Sequence, residues 1–322
     1  MLHTVDDLKQ LQALPLDIKI KMSKNRIREW IREWGESGVY VSFSGGKDST
    51  VLLDLVRSEY PNIEGVFIDT GLEYPEIRDF VKQFDNITWI KPKLNFKQII
   101  TKYGYPIISK EVAHKVGCVQ KNPDTSTYRV LFDRNNKSKF NVSKYAFLLE
   151  APFRLEHKCC DFMKKNPAHD YEKKTGKKRI TGTLACESSL RQRIWLENGC
   201  NAFDIDRPSS NPLSFWTEQD ILKYIHDRKL PICSVYGDVV PTKQMCMFDE
   251  DMEYETTGCN RTGCVFCLFG IHLEKHPNRL EQLKISHPQL YDYIMKPWND
   301  GGLDYKNILD WINAHSNLDI KY

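Results

Sequence analysis

Long apolar segments are absent from the 322-residue sequence, so no membrane-spanning helix, which needs about 20 apolar residues, is expected. A strong charge imbalance is also absent, because 46 basic residues nearly balance 43 acidic ones. Ten cysteines are too few for a domain held together by disulfide bonds. The N-terminal residues lack the apolar core of a signal peptide. We therefore expect a globular cytoplasmic protein without a membrane partner; composition leaves its oligomeric state open.

Strand-like and helix-like segments alternate along the chain, which predicts an α/β fold with a doubly wound parallel sheet. Strands are expected at 39–43, 63–69, 87–90 and 179–182, and helices at 5–13, 16–34, 50–56 and 218–228. We expect three domains: an N-terminal basic amphipathic helix (1–37), a nucleotide-binding domain (38–236) and a C-terminal cysteine-rich module with helices (237–322). The polar, basic stretch 121–146 is expected to form a lid or a substrate-facing loop.

The hexapeptide at 44–49, SGGKDS, lies between a predicted strand and a predicted helix. Paired glycines let backbone N–H groups close around phosphate oxygens, and the helix N-terminus adds partial positive charge. Lys47 can place an ammonium near the phosphates, and Asp48 can bind Mg²⁺ or orient the loop. The pattern is not a Walker A motif. It predicts a phosphate-binding loop, with an ordinary glycine turn as the alternative.

Five cysteines form an adjacent pair and a triplet with C-x4-C-x2-C spacing: Cys159, Cys160, Cys259, Cys264 and Cys267. The triplet has the spacing of one ferredoxin type, which favours an iron–sulfur centre. A structural zinc ion is the second interpretation, held by four thiolates or by three thiolates and His272. Buried thiols without a metal are the third.

The phosphate loop and four further segments resemble, in motif order, the phosphoadenosine phosphosulfate (PAPS) reductase family of the adenine nucleotide alpha-hydrolase superfamily. The matching segments are 42–49, 66–76, 158–160, 181–191 and 212–236. This resemblance implies a site for ATP or a sulfonucleotide, either adenylyl sulfate (APS) or PAPS. The implied nucleotide-binding residues are Ser42, Ser44, Gly45, Gly46, Lys47, Asp48, Ser49, Asp69, Thr70, Gly71 and Gly182.

The same resemblance implies a 4Fe–4S cluster, because similar reductases bind one through a Cys-Cys pair and a C-x2-C pair. Two ligand sets stay open, since either Cys159 or Cys259 can complete the group formed by Cys160, Cys264 and Cys267.

The sequence departs from the family pattern at two places. Thioredoxin- and glutaredoxin-dependent members resemble one another in a C-terminal Glu-Cys-Gly-(Leu/Ile)-His motif whose cysteine attacks the sulfonyl sulfur, and no cysteine follows Cys267 here. Their substrate loop reads Thr-Gly-x-Arg, whereas Leu184 stands at the arginine position. That change removes a bidentate anion contact, for which Arg191 or Arg193 can compensate. Both departures count against ordinary reductase chemistry.

The preferred hypothesis is an ATP pyrophosphatase coupled to sulfur transfer, similar to the iron–sulfur enzymes of DNA phosphorothioation. Its expected catalytic residues are Lys47, Asp48, Glu187 and Arg191, with Mg²⁺ on the phosphates. The basic segments 16–34 and 121–146 extend the expected partners to nucleic acid, and a sulfur- or electron-donor protein is a further expected partner. The alternatives are an APS or PAPS reductase that makes sulfite with an external thiol, and a nucleotide-binding module without turnover.

Overall fold

The computed structural model describes residues 2–122, 125–242 and 252–322, with the backbone alone at residue 125. Its helices are α1 (Val5–Gln12), α2 (Leu16–Trp34), α3 (Lys47–Arg57), α4 (Pro75–Val81), α5 (Phe96–Tyr103), α6 (Lys110–Lys121), α7 (Thr125–Phe132), α8 (Asn166–Thr175), α9 (Ser189–Asn198), α10 (Glu218–Arg228), α11 (Arg279–Ser286), α12 (Pro288–Met295) and α13 (Tyr305–Ala314). Its strands are β1 (Val39–Ser42), β2 (Gly65–Ile68), β3 (Ile87–Ile90), β4 (Ile107–Ile108), β5 (Lys178–Ile180), β6 (Asn201–Ala202), β7 (Ser209–Ser210), β8 (Val239–Pro241), β9 (Tyr254–Thr256) and β10 (Leu268–Phe269). None of the described helices is long and apolar enough to cross a membrane.

The chain forms two compact units, each built from separate stretches. The first comprises Met1–Asp69, Glu73–Lys91 and Pro167–Thr262, and the second comprises Thr70–Leu72, Pro92–Asn166 and Gly263–Tyr322. The three-domain division expected at residues 37 and 236 remains a prediction.

The first unit is built on a six-stranded sheet in the order β3-β2-β1-β5-β7-β6. Its neighbouring strands are parallel except for the β6–β7 pair, which is antiparallel. Strand β1 lies inside the sheet, and Val39, Tyr40 and Val41 are all buried. This continuous burial is typical of a parallel strand covered on both faces and explains why its sequence shows no polar alternation. The predicted α/β fold with a mostly parallel sheet is confirmed.

Helix α2 packs into the first unit through apolar and polar side chains together. Trp30 is fully buried, and the Ser23 hydroxyl donates to the carbonyl of Pro212 at 2.8 Å. Lys19 belongs to the basic residues of this helix but is not solvated, because only 2% of its side chain is exposed. Its ammonium donates to Asp220 at 2.7 Å and to the carbonyl of Gln12 at 2.6 Å.

Other cations of α2 are also paired with carboxylates. Lys24 and Arg28 both bind Glu59, and Arg26 binds Glu29 within the same helix. These pairs neutralise much of the positive charge that the sequence assigns to this helix.

The second unit combines helices with a short parallel ladder in which β4 pairs with β10. Ile107 and Leu268 are partners in this ladder and are both inaccessible to solvent. Tyr305 of α13 is also fully buried, and its hydroxyl donates to the carbonyl of Phe266.

The stretch 121–146, expected to be a lid or a loop, is partly helical. Residues 123 and 124 lie outside the described part of the chain, and α7 follows them. The amide of Val142 donates to the carbonyl of Leu131 at 2.7 Å, so the chain returns along α7. The helix forms here because Phe132 has an apolar site to fill and is only 2% exposed.

The buried Lys19–Asp220 pair predicts a large stability effect. Asp220→Ala should lower the free energy of unfolding by about 3–5 kcal/mol, because it leaves a buried ammonium without its counter-charge. Urea unfolding followed by circular dichroism measures the change.

Asp220 also belongs to the Thr217 capping box, so Thr217→Ala, with an expected loss of about 1 kcal/mol, separates the cap from the ion pair. The exposed Lys9–Asp6 pair supplies the control, and Asp6→Ala should cost no more than about 1 kcal/mol. Equal losses in Asp220→Ala and Asp6→Ala would contradict the interpretation.

Candidate functional site

The loop at 44–49 connects β1 to α3 at the carboxyl end of the parallel strand, where ligands of such sheets bind. Gly45 has a φ of 71°, and a Cβ there would lie 2.8 Å from Val81 Cγ2 and 2.9 Å from Ile77 Cγ2. Gly46 is the N-cap of α3 and provides no side chain to accept from the first N–H groups of the helix. Gly46 therefore does not cap these N–H groups, and the Lys47 amide makes only a long 3.4 Å contact with the Tyr236 hydroxyl, so an anionic ligand can accept from this helix N-terminus.

Two hydroxyls hold the loop in shape. The Ser49 hydroxyl donates to the carbonyl of Gly46 at 2.9 Å and accepts from the amide of Ser44 at 3.1 Å. The Ser44 and Ser49 oxygens are 3.0 Å apart. Because Ser49 is buried and Ser44 is exposed, Ser49 fixes the loop while Ser44 presents a hydroxyl to solvent.

Lys47 is the first residue of α3, and only 6% of its side chain is exposed. Its ammonium donates to Glu218 Oε1 at 2.7 Å and to the carbonyl of Asn260 at 2.9 Å. Its backbone amide makes a long contact of 3.4 Å with the Tyr236 hydroxyl. The ammonium of Lys47 is thus shielded from water, and Lys47 lies at the N-terminus of α3, next to the backbone amides of the loop.

Sequence reasoning missed Glu218 and Asn260 as partners of Lys47. Glu218 lies in the first turn of α10, where acidic residues are common without any distant partner, and Asn260 contributes a backbone carbonyl, which residue type does not reveal. No sequence signal connects Lys47 with a carboxylate 171 positions away.

The four predicted catalytic residues lie in one charged group in the first unit. Arg191 forms an ion pair with Glu187, and Arg261 Nη1 is 4.0 Å from Glu187 Oε1. Burial raises the pKa of Asp48, Glu218 raises it further, and the cations Lys47, Arg261 and Arg191 oppose the rise. Burial lowers the pKa of Arg191. Arg261 was not predicted, because it lies among cysteines whose spacing dominated that segment.

Leu184, which replaces the expected arginine, is buried with 2% exposure. It presents no cation at this position. The 64% exposed side chain of Arg261 and the 40% exposed side chain of Arg191 are nearby cations of the charged group that can contact an anion.

The remaining predicted nucleotide residues are divided between the units. Asp69 follows β2, is 5% exposed and accepts from Arg78 Nη2 at 2.9 Å. Ser42 ends β1 and pairs in register with Val66. A Cβ on Gly182 would lie 3.0 Å from the carbonyl oxygen of Asp48, so this glycine allows the substrate segment to approach α3. Thr70 and Gly71 belong to the second unit.

The five predicted metal-binding cysteines are also divided. Cys159, Cys160, Cys264 and Cys267 belong to the second unit, whereas Cys259 belongs to the first. A tight turn joins two of the four, because the amide of Cys267 donates to the carbonyl of Cys264 at 3.0 Å.

Electrostatic coupling indicates that the four thiols of the second unit are neighbours. Burial raises the pKa of Cys159, and the thiols of Cys160, Cys264 and Cys267 raise it further. Burial also raises the pKa of Cys259. The other groups that affect this pKa are Tyr74, which lowers it, and Glu76, which raises it, and both belong to the first unit.

No group of three or more histidine, cysteine or carboxylate side chains within residues 2–122, 125–242 and 252–322 is arranged to hold a single metal ion. His272, the alternative zinc ligand, has its Nε2 3.1 Å from the Tyr145 hydroxyl. Four cysteine thiols are the donor set of a Cys₄ iron–sulfur cluster, so their chemistry fits this group.

The family model for the phosphoadenosine phosphosulfate reductase domain matches residues 38–121 and 124–268. The chain belongs to this family. The resemblance predicted from its motifs is thereby confirmed, and membership supports a nucleotide-binding enzyme of sulfur metabolism.

Curated relatives of this PAPS reductase family member include enzymes of known activity. An adenosine 5'-phosphosulfate reductase of Geobacillus kaustophilus is 26% identical over 220 residues, which cover 68% of this chain and 75% of that enzyme. One of Staphylococcus epidermidis is 23% identical over 221 residues, covering 67% and 72%. An uncharacterized protein of Methanocaldococcus jannaschii is 42% identical over 73 residues, and this match spans only 21% of the chain and 18% of that protein.

Solved structures with similarity include a PAPS reductase of Candida auris in a phosphate complex, with a TM-score of 0.39 and 15% identity over 73% of this chain and 91% of that one. An FMN adenylyltransferase of Candida glabrata in complex with ATP also has a TM-score of 0.39, with 14% identity over 71% and 64%. The fold assignment above rests on the sheet topology instead.

The raised pKa of Asp48 predicts a stabilising substitution. Burial disfavours the carboxylate in the folded chain, so its cost is full above the folded-state pKa and disappears as the pH falls below the ordinary value of 3.8. Asp48→Asn should therefore raise the thermal unfolding midpoint at pH 7, by about 2–4 °C for each kcal/mol regained. The gain should shrink towards pH 4. In the exposed control Asp79→Asn, where Lys82 lowers the pKa, no gain is expected. A lower midpoint for Asp48→Asn at pH 7 would show that the ionised carboxylate stabilises the loop.

Proposed function

We propose that the chain is an ATP pyrophosphatase that activates an acceptor oxygen for sulfur transfer. The acceptor oxygen attacks the α-phosphorus of ATP, the bond between that phosphorus and the α–β bridging oxygen breaks, and pyrophosphate leaves with the electron pair. The acceptor proton passes to solvent. A sulfur nucleophile then displaces AMP from the adenylated acceptor.

The observation that carries this proposal is the shielded ammonium of Lys47 at the uncapped beginning of α3. Developing charge on pyrophosphate needs donors that are already in place, and the loop amides of Gly45 and Gly46 together with Lys47 supply them. The Lys47 ammonium is already shielded from solvent before the nucleotide binds. It has only to exchange Glu218, whose side chain is 44% exposed and can turn outwards, for a phosphate oxygen.

Asp48 is the residue expected to bind Mg²⁺ on the phosphates, because it follows Lys47 directly and carries a carboxylate, the ligand type that Mg²⁺ prefers. Arg191 and Arg261, arranged around Glu187, are expected to orient the acceptor.

The proposal assigns a 4Fe–4S cluster to Cys159, Cys160, Cys264 and Cys267. Their common unit and mutual electrostatic coupling support this set over the alternative that includes Cys259. When bound, the cluster would supply iron sites for electron transfer or for holding sulfur. Arg279, which donates to the carbonyl of Cys267 at 3.1 Å, would fix the backbone of the C-x2-C turn.

A second candidate is favoured by the named relatives, which are adenosine 5'-phosphosulfate reductases over about two thirds of this chain. In that reaction two thiols reduce the sulfonucleotide to sulfite and AMP and become a disulfide. The buried Leu184 is an argument against the reductase reaction, because it stands where the family pattern has an arginine that would contact the sulfate.

Product analysis with anaerobically purified full chain distinguishes these functions. ATP and Mg²⁺, with water as acceptor, should yield AMP and pyrophosphate, and Lys47→Ala should lower this rate by about 10²-fold because it removes a preorganised cation. Lys82→Ala, which removes an exposed lysine of the same unit, is the matched control and should retain the rate. Sulfite from APS or PAPS with a dithiol, in the absence of pyrophosphate from ATP, would replace the proposal by the second candidate. Nucleotide binding without any product would leave a module that has no turnover.

The ligand set predicts which cysteine substitutions remove iron. Cys159→Ala and Cys264→Ala should each lose most of the bound iron and the visible absorbance, whereas Cys259→Ala should retain both. Cys118→Ala, an exposed thiol of the second unit, is the control. Iron analysis and absorption spectra of anaerobic protein give the answer. Iron loss in Cys259→Ala with retention in Cys159→Ala would favour the other ligand set.

A further inference from the structure

Residues 126–144 form a folded element with an exposed outer side in the second unit. The side-chain amide of Asn141 donates to the carbonyl of Asp133 at 2.7 Å, and the backbone amide of Val142 donates to the carbonyl of Leu131. Phe132 anchors the inner side with 2% exposure. These two hydrogen bonds and the buried ring of Phe132 therefore hold the backbone that bears the exposed side chains of this element.

Five cations of this element are exposed: Arg129, Arg134, Lys137, Lys139 and Lys144. Within the described part of the chain, none of the five is in an ion pair with a carboxylate. This distinguishes them from Lys24, Arg28 and Arg26 of α2, which bind Glu59 and Glu29. These five positive charges are not neutralised by carboxylates, so an anionic partner can bind without first breaking ion pairs.

The same element carries two exposed aromatic rings, one of which is in contact with one of these cations. Tyr128 is 43% exposed and Phe140 is 53% exposed. The ammonium of Lys139 lies 5.2 Å from the centre of the Phe140 ring, and that of Lys115 lies 5.8 Å from it. Large exposed rings bordered by cations provide stacking surfaces next to phosphate-binding groups.

We propose that this surface, formed by Tyr128, Phe140 and the five unpaired cations, binds single-stranded nucleic acid. Phosphates would contact the arginines and lysines, and unpaired bases would stack on the two rings. A duplex does not fit this chemistry as well, because its base faces are covered by stacking. The inference does not depend on the proposed ATP reaction, since every residue that carries it lies outside the loop at 44–49.

Fluorescence anisotropy with labelled 20-nucleotide single strands of DNA and of RNA tests the proposal on the full chain. The triple variant Arg134→Gln/Lys137→Gln/Lys139→Gln should bind at least ten-fold more weakly. It should also reduce the slope of log affinity against log salt by about 2, since each lost phosphate contact removes about 0.7 for single strands. Phe140→Ala should weaken binding by about ten-fold without changing the salt slope.

The matched control removes three exposed lysines that are paired with carboxylates, in the variant Lys9→Gln/Lys82→Gln/Lys306→Gln, and should bind like the unmodified chain. Lys47→Ala should also bind oligonucleotides normally, which separates this test from that of the ATP reaction. Equal losses in the two triple variants would overturn the proposal. So would tighter binding to duplex than to single strands, or binding to vesicles containing phosphatidylglycerol with none to oligonucleotides.

Discussion

A lysine ammonium shielded from water at the first residue of α3 is the feature on which the nucleotide site depends. A buried cation must be paired, and Lys47 is paired with one carboxylate and one backbone carbonyl, both supplied by distant parts of the chain. The same arrangement that satisfies the ammonium also keeps it next to the loop amides. In the proposed function, phosphate binding would exchange Glu218 for a phosphate oxygen as the partner of Lys47, so the buried ammonium would not lose its counter-charge.

The connection between β1 and α3 could be predicted from the sequence because its determinants are local, whereas its binding of phosphate remains a prediction. The glycine pair, the hydroxyls and the strand-to-helix context all lie within a few residues, and the structure brings them together in the expected order. The parallel sheet was predictable for the same reason, since buried strands such as β1 have continuous apolar sequences. The partners of Lys47 were not predictable, because contact across 171 positions leaves no periodicity in the chain.

Charge was the least predictable property. The residues next to a lysine in a basic stretch do not show whether its side chain is solvated or buried. Lys19 is buried and paired with Asp220. The basic segment 121–146 contains α7, whose Phe132 is buried, although its polar composition favours a loop. The cysteine spacing predicts a metal site, which remains a prediction, and the spacing does not reveal that Cys259 belongs to the first unit whereas Cys159, Cys160, Cys264 and Cys267 belong to the second.

The most direct test of the central claim is a crystal structure of the full chain with Mg²⁺ and a non-hydrolysable ATP analogue. The account predicts phosphate oxygens on the amides of Gly45, Gly46 and Lys47, with the Lys47 ammonium transferred from Glu218 to a phosphate. An analogue bound elsewhere, with Lys47 still held by Glu218 and Asn260, would contradict it.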